Sequence, residues 1–455
     1  MDEGQWVEEE FGQVDLGDKR LNQRLKKLAQ ARMEQPNGSI PQSSGGKAAT
    51  KAAYRLLDNE DVEADRIQAG HFQASQRRMK GKGIILAVQD TTELNYTAHP
   101  AIKGLGYLSD LQQHGMYVHS TLAVTPQRVP LGLIQQQVWI RPVEEYGKRV
   151  KRKEVEIEQK ESMKWLKSLS ACAEMQKGLE GSRIIGVGDS EADVYELFEL
   201  ARELNQDILI RACRDRCLAE GEEKLWEHLQ NQALAGEIRV EVKREAGRKA
   251  RLARVEIRFA QIKLRPPHRK GSKKLSVIEI WAVLAIEQGA PEGEKPIEWL
   301  LLTAVAVNTF ADACERVSWY TCRWVIEMYH KVLKSGCRVE ERQFDDYENL
   351  RRYLALDAVV AWQLLYMTLL SRATPDVLCT LVLETHEWQA LYCYLHKTRT
   401  PPATPPSLKD VVFWIAGLGG FLGRKSDGHP GTKTLWLGLQ RLKDIANAWL
   451  IFNPL

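Results

Sequence analysis

The chain has 455 residues, 44% of them apolar and 27% charged, close to globular norms. A chain of this make-up can bury a large core and, at roughly 150 residues per domain, is expected to hold about three domains; wholesale disorder and collagen-like or low-complexity structure are excluded. Its 64 Lys and Arg against 60 Asp and Glu leave +4, a sum that speaks against an all-over basic nucleic-acid binder but is silent on distribution.

Residues 1–10 are acidic and carry no apolar stretch, so no signal peptide is expected and the expected location is the cytoplasm. Residues 1–75 are polar and helix-biased. Leu21, Leu25 and Leu28 in the segment DKRLNQRLKKLAQ recur at helical spacing, with Lys and Arg on the other faces. A Pro/Gly/Ser stretch (36–46) precedes a second helical segment at 47–57. By composition alone this is a solvated helix pair.

The apolar burst at 84–88 reads as a buried strand ending at Gln89-Asp90-Thr91-Thr92. Two more strands, at 116–124 and 131–139, flank a turn around Pro126 and Pro130. A charged stretch, 144–164, leads into a helix. Another short strand, 184–187, ends at Gly188-Asp189, with a helix expected from about 191 to 204.

Strand character dominates 207–310, at 207–211, 237–242, 254–259, 276–285 and 299–304. The tract 243–274 holds 13 Lys and Arg against two Glu, and most of it is expected to lie between strands. From about residue 311 the chain is mostly helical. No run of 18 apolar residues occurs. The nearest, 353–370, is interrupted by Asp357 and Gln363 and reads as a core helix rather than a membrane span. The segment TPPATPP (400–406) is a punctuation point, and 408 to the end reads as one last helical segment. Eight Cys without a CxxC pair read as free thiols, not a zinc site.

Chemistry concentrates in three places. Asp90 and Asp189 each follow an apolar strand, where open α/β sheets place ligands. Singly, each is as well explained as a turn or cap residue. The segment YTCRWVIEMYHKVLK (320–334) is more telling. On one continuous helix, Tyr320, Arg323, Glu327, Lys331 and Lys334 fall at roughly 0°, −60°, −20°, +20° and −40°. Ordinary i,i+4 pairing accounts for the charges. It does not account for an aromatic ring in the same stripe, on a helix whose other neighbours are bulky and apolar. His330, beside Lys331, has a side chain that ordinarily titrates near neutral pH.

The spacing Tyr320-x2-Arg323-x3-Glu327-x6-Lys334 resembles the Y-R-E-K signature of the insertion-sequence-four family of bacterial transposases, in its transposon-five branch. Around Asp90 and Asp189, Gln89-Asp90-Thr91-Thr92 and Asp189-Ser190-Glu191-Ala192-Asp193 resemble that branch's catalytic blocks. Tyr117-Val118-His119-Ser120, Trp139-Ile140-Arg141-Pro142, Trp299-Leu300-Leu301-Leu302-Thr303 and Leu16-Gly17-Asp18-Lys19-Arg20 resemble further segments, in matching order through nearly the whole chain.

The resemblance implies an α/β fold: an RNase H-like catalytic core, a mixed sheet with flanking helices, carrying a β-rich insertion at about 207–310. Helical DNA-binding (1–75) and dimerisation (371–455) domains would flank a core at 76–370. It implies a DDE triad of Asp90, Asp189 and Glu327 holding two Mg²⁺ ions, with Mn²⁺ able to substitute. Hard oxygen ligands suit that metal, and two-metal catalysis suits phosphodiester chemistry. Tyr320 and Trp299 would face an unstacked base. Arg323, Lys331 and Lys334 would hold phosphates, with Arg20, Arg24 and Arg55 on the transposon end and Arg211 a weaker candidate. The basic tract at 243–274 would track phosphates. The partners implied are double-stranded DNA, as terminal inverted repeats and target, and a second copy of the chain; the location implied is the bacterial nucleoid. The activity implied is cut-and-paste transposition through a DNA hairpin. Two alternatives are a non-catalytic end-binding relic or regulator, and an RNase H-like nuclease without transposition. The intact acidic set argues against the first, and the flanking helical domains against the second.

Overall fold

The computed structural model describes residues 5–147, 160–242, 250–268 and 275–453. Five helices open the chain: α1 (Gln5–Phe11), α2 (Lys19–Glu34), α3 (Ile40–Ser44), α4 (Lys47–Leu57) and α5 (Ala64–Met79). As the leucine spacing predicts, α2 buries Leu21, Leu25 and Leu28, and Asp18 caps it by accepting from the Arg20 amide. The helix α5 runs across residue 75, so the chain passes from the helical opening into the sheet without a linker there.

The sheet begins with β1 (Gly83–Asn95), β2 (Gly106–Tyr107), β3 (His114–Val124) and β4 (Pro130–Trp139). The helix α6 (Met163–Gln176) crosses over to β5 (Ser182–Gly188), and α7 (Tyr195–Glu203) crosses to β6 (Asp207–Arg211). Strand order in this half is β4-β3-β1-β5-β6, with β3 antiparallel to β1 and β1, β5 and β6 parallel. A hairpin followed by parallel crossovers in that order is the RNase H-like arrangement.

After α8 (Leu225–Gln230), the strands β7 (Gly236–Val242), β8 (Arg251–Leu264), β9 (Ile278–Gln288) and β10 (Glu298–Thr303) extend the same sheet, β10 pairing antiparallel with β6. The β-rich stretch is therefore continuous with the core, making ten strands among the described residues. The basic tract differs from expectation. The strand expected at 254–259 is longer, Arg251–Leu264, so β8 takes up the described middle of the tract, and there Arg251 pairs with Glu287 and Glu294, Arg258 with Glu256, and Lys263 with Glu220. Part of the charge on its described residues is thus neutralised within the sheet. Residues 243–249 and 269–274 of the tract lie outside the described residues, as do 148–159 of the charged stretch before α6.

The helices α9 (Phe310–Thr321), α10 (Trp324–Lys331), α11 (Tyr347–Ala373), α12 (Thr385–His396), α13 (Leu408–Leu418) and α14 (Thr432–Phe452) complete the chain. The last helical segment is thus two helices, and the glycine-rich run after residue 416 makes the turn between them. Gly419 and Gly438 sit where a Cβ would strike the Thr434 and Ile415 carbonyls, so both glycines allow α13 and α14 to pack closely. The helix α11 is long and apolar enough to cross a membrane by length and composition, but 94% of that window is buried inside the protein. It is the core helix the sequence predicts. All eight Cys are free thiols.

One buried ion pair ties the opening helices to this core. Arg32 of α2 donates to Asp357 of α11 at 3.0 and 3.2 Å, both side chains fully buried. The same guanidinium donates to the Gln35, Pro36 and Gly38 carbonyls. A second buried contact joins α1, α5 and β4: His71 shares a proton with Glu10 at 2.5 Å, and its other nitrogen accepts from the Leu133 amide.

Candidate active site

Pairing of β1 with β5 ends at Val88 with Val187, and Asp90 and Asp189 each stand two residues beyond that last pair. The strand β1 itself does not end there. It runs on to Asn95 against β3, with Asp90 opposite Ser120, so Asp90 is a mid-strand residue held by a ladder on one side only. Asp189 leaves β5 and caps a single 3₁₀ turn (Ser190–Ala192), accepting from the Glu191 amide at 2.9 Å. The helix expected from 191 starts only at Tyr195.

The third carboxylate comes from α10. The stripe at 320–334 is not one continuous α-helix: α9 ends at Thr321, α10 starts at Trp324, and a π-helical turn (Val332–Gly336) follows. Arg323 sits at the join with helical φ and ψ, so the turn tightens without losing the face. Arg323 donates to Asp90 at 3.1 Å and to Glu327 at 2.5 Å, bridging strand and helix. Burial, reinforced by the Asp189 charge, pushes the Asp90 carboxyl up to about 6, although the Thr91 amide and Arg323 pull the other way.

These residues fit a hard divalent cation in donor type and in charge. Burial raises Asp90 first, and the Asp189 and Glu327 charges add to it; a bound cation would relieve that repulsion. Among the described residues, however, no three His, Cys, Asp or Glu side chains stand as a ready-made metal cage. Arg323 supplies the positive charge between Asp90 and Glu327 instead.

The aromatic residues are adjacent. Trp299 of β10 and Tyr320 of α9 pack edge to face, ring centroids 5.2 Å apart. Tyr320 is only 4% exposed, so Trp299 presents the open ring and Tyr320 backs it. Arg211, at the end of β6, donates to Ser190 beside Asp189 at 3.1 Å and lines the same cavity as both rings. Lys334 donates to the Glu93 carbonyl at 2.8 Å and pairs with Glu340, which fastens the π turn to β1 three residues past Asp90. Lys331 is exposed on α10. His330 differs from the expectation for a free imidazole. It is buried, and burial together with Lys334 pushes it down to about 3, so it is neutral at physiological pH.

The N-terminal candidates separate. Arg20 and Arg24 share a hollow with Asn59 and Glu60, while Arg55 lies in another with Lys47 and Lys51.

Sequence reasoning missed a buried clamp behind Asp90. The His119 imidazole meets the Thr91 hydroxyl at 2.9 Å and the Gln89 side chain at 3.3 Å, and packs against Trp165 of α6. It therefore holds the residues on either side of Asp90 from the opposite face of the sheet. Strand alternation from Tyr117 puts His119 on that face, but nothing in the sequence announces its partners. Arg128 and Arg372, which line the cavity beside Trp299, were missed as well.

Comparison with known proteins finds matches at both ends of the chain. Residues 3–62 match the family described as "Transposase DNA-binding", and residues 359–448 match "Transposase Tn5 dimerisation domain". A solved structure titled "Cryo-EM structure of piggyBac transposase synaptic complex with hairpin DNA" is a loose neighbour. It is 10% identical over 81% of this chain and 73% of its own, with a TM-score of 0.36. An RNase H-like sheet between a segment that matches a transposase DNA-binding model and one that matches a transposase dimerisation model supports a transposase, with DNA as its partner. More narrowly, the two matched segments support a Tn5-like transposase, and the insertion-sequence-four resemblance of its Y-R-E-K spacing fits that.

Proposed function

We propose that the chain performs cut-and-paste transposition, with Asp90, Asp189 and Glu327 as one phosphodiester-processing site. The observation that carries this is the bridge Arg323 makes between Asp90 of β1 and Glu327 of α10, with the Asp189 charge at the end of β5 also acting on Asp90. Asp90, Asp189 and Glu327 would hold two Mg²⁺ ions, or Mn²⁺, which when bound stabilise the attacking and leaving oxygens.

Arg323 would then release the carboxylates and take the scissile phosphate, as a guanidinium fork suits. Lys331 and Lys334, further along the same stripe, would hold neighbouring phosphates. Water first breaks the P–O3′ bond at the transposon end, freeing a 3′-hydroxyl. That hydroxyl attacks the opposite strand, displacing its flanking strand and closing a hairpin. A second water opens the hairpin, and the 3′-hydroxyl then attacks target DNA. Each step is an in-line displacement, so one site serves all four.

Hairpin closure demands a sharp bend, which an extruded base relieves. The open face of Trp299, backed by Tyr320, suits that base. The helices α2 and α4, with Arg20, Arg24 and Arg55, would grip the terminal inverted repeats. Two copies joined through the C-terminal helices would pair two ends. Base is carried there and around the cavity, and acid at the catalytic centre, so the small net charge conceals a divided surface.

Purified protein with Mg²⁺ and duplexes taken from the inverted repeats flanking its gene should give hairpin ends. Trp299→Ala should slow hairpin closure more than first-strand nicking; equal slowing of both removes the base-holding role. Equal cutting of DNA lacking the ends would favour a simple nuclease, and binding without cutting an inert relic.

A further inference from the structure

The cavity that begins at Trp299 and Tyr320 does not stop there. It encloses about 500 Å³ and reaches Arg128, in the turn between β3 and β4, and Arg372, near the end of α11. An extruded base fills only part of such a volume. The cavity wall holds four arginines and one acid, Glu241. Arg323 is engaged with Asp90 and Glu327, but the other three have no described carboxylate partner: Arg211 donates to Ser190, Arg128 to the Thr321 hydroxyl at 3.1 Å, and Arg372 to the Pro430 carbonyl at 2.8 Å.

Arg372 is the most exposing of these. Its Nε is buried and has no hydrogen-bond partner. Burial pulls its pKa below the usual arginine value, with no neighbouring acid to offset it. A partly desolvated guanidinium that lines a cavity and has an unpartnered nitrogen is poorly satisfied by the protein alone. An anion with several acceptor oxygens satisfies it, and phosphate matches a guanidinium fork in charge and shape.

We propose that Arg128 and Arg372 make this cavity a phosphate subsite as well. It takes a backbone phosphate of the DNA strand whose base stands against Trp299. This rests on the base-holding role of Trp299 proposed above. Base and phosphate are then gripped within one cavity, so the strand is held bent by two contacts instead of one.

The test uses the full-length protein and flanking-repeat duplexes that carry 2-aminopurine at the extruded position. One linkage at a time on that strand is replaced by an uncharged methylphosphonate. In the wild type, one linkage should matter, its neutralisation slowing hairpin closure roughly ten- to a hundredfold, the range of a lost charge-assisted contact. In Arg372→Gln and in Arg128→Ala, closure should already be slow and the same neutralisation should cost less than about twofold, as expected for coupled partners. Arg372→Lys, which keeps the charge, should recover part of the rate. Arg128 is exposed, so its variant reports on the subsite even where Arg372→Gln disturbs packing. If every linkage costs as much in both variants as in the wild type, the phosphate subsite is wrong while the base-holding role stands. If 2-aminopurine fluorescence never rises in the wild type, the base-holding role fails and takes the subsite with it.

Discussion

Arg323 and Asp90 meet at 3.1 Å, and the same guanidinium reaches Glu327 one turn further along α10. A single cation thus holds apart two carboxylates that are repelled by each other and by Asp189. Without it, strand β1 and helix α10 would present uncompensated like charges across a partly buried gap.

That balance has a pH signature in the metal-free protein. Burial and the Asp189 charge raise Asp90 to about 6, above its ordinary carboxylate value. A carboxyl raised on folding adds stability fully present below its unfolded pKa, and loses it as pH rises through about 6. Asp90→Asn should therefore be more stable than wild type at pH 7 in EDTA, by on the order of 1 kcal/mol, with the gain vanishing near pH 4. Thermal unfolding at the two pH values checks this. A variant no more stable at pH 7 would mean that the site is not strained by charge.

His119 should act on catalysis through Asp90. Its imidazole bonds the side chains of Gln89 and Thr91, which flank Asp90 in β1. His119→Ala is expected to slow nicking by roughly ten- to a hundredfold, the usual cost of losing an orienting neighbour, with end binding unchanged. His119→Asn, able to accept from Thr91, should restore part of the rate. Parallel gel-shift and nicking assays separate the two effects.

Arg32→Met should unfold far more easily than wild type. It leaves Asp357 buried and uncompensated in the middle of α11, a loss of about 3–5 kcal/mol. Adding Asp357→Leu should return much of that stability, because no buried charge then remains. Urea melts of the two single variants and the double would show it. Additive losses would mean that the pair is not coupled.

Acid should loosen the opening helices. Burial lowers the His71 pKa below its ordinary value, against the pull of Glu10. Glu10 is lowered too, because His71 and Arg78 outweigh its burial. Both groups contribute stability that is present above their unfolded pKa values and lost as pH falls. His71 keeps a neutral ring because its Nε2 accepts from the Leu133 amide, a bond that protonation breaks. Protection factors for amide exchange at α1 and α5 should fall from about pH 6 downward. In His71→Gln that fall should be smaller.

The strands and most helices were legible because their signals are local. Apolar bursts with turn residues mark β1, β3 and β4, and leucine spacing marks α2. Of the site, Asp90, Asp189, Arg323 and Glu327 were legible as residues, and the structure brings them together. What the sequence misplaced depends on pairing across distance. Asp90 looked like a strand end because its apolar run stops there, whereas the ladder to β3 carries β1 five residues on. The strand in the basic tract looked too short, at 254–259, because the charges on either side are dense, yet acids at 220, 256, 287 and 294 pair with Arg251, Arg258 and Lys263 along a longer β8. His330 looked titratable because nothing local shows that it is buried.

The most direct measurement pairs cleavage with binding in Asp189→Ala. With Mg²⁺ and the flanking-repeat duplexes, wild type should nick and then form hairpin ends. Asp189→Ala should bind those duplexes within about twofold of wild type and cut them at least a thousandfold more slowly, as expected when a metal-holding carboxylate is lost. A wild-type protein that binds the ends but never nicks them with Mg²⁺ or Mn²⁺, or an Asp189→Ala protein that still cuts at the wild-type rate, would contradict the assignment.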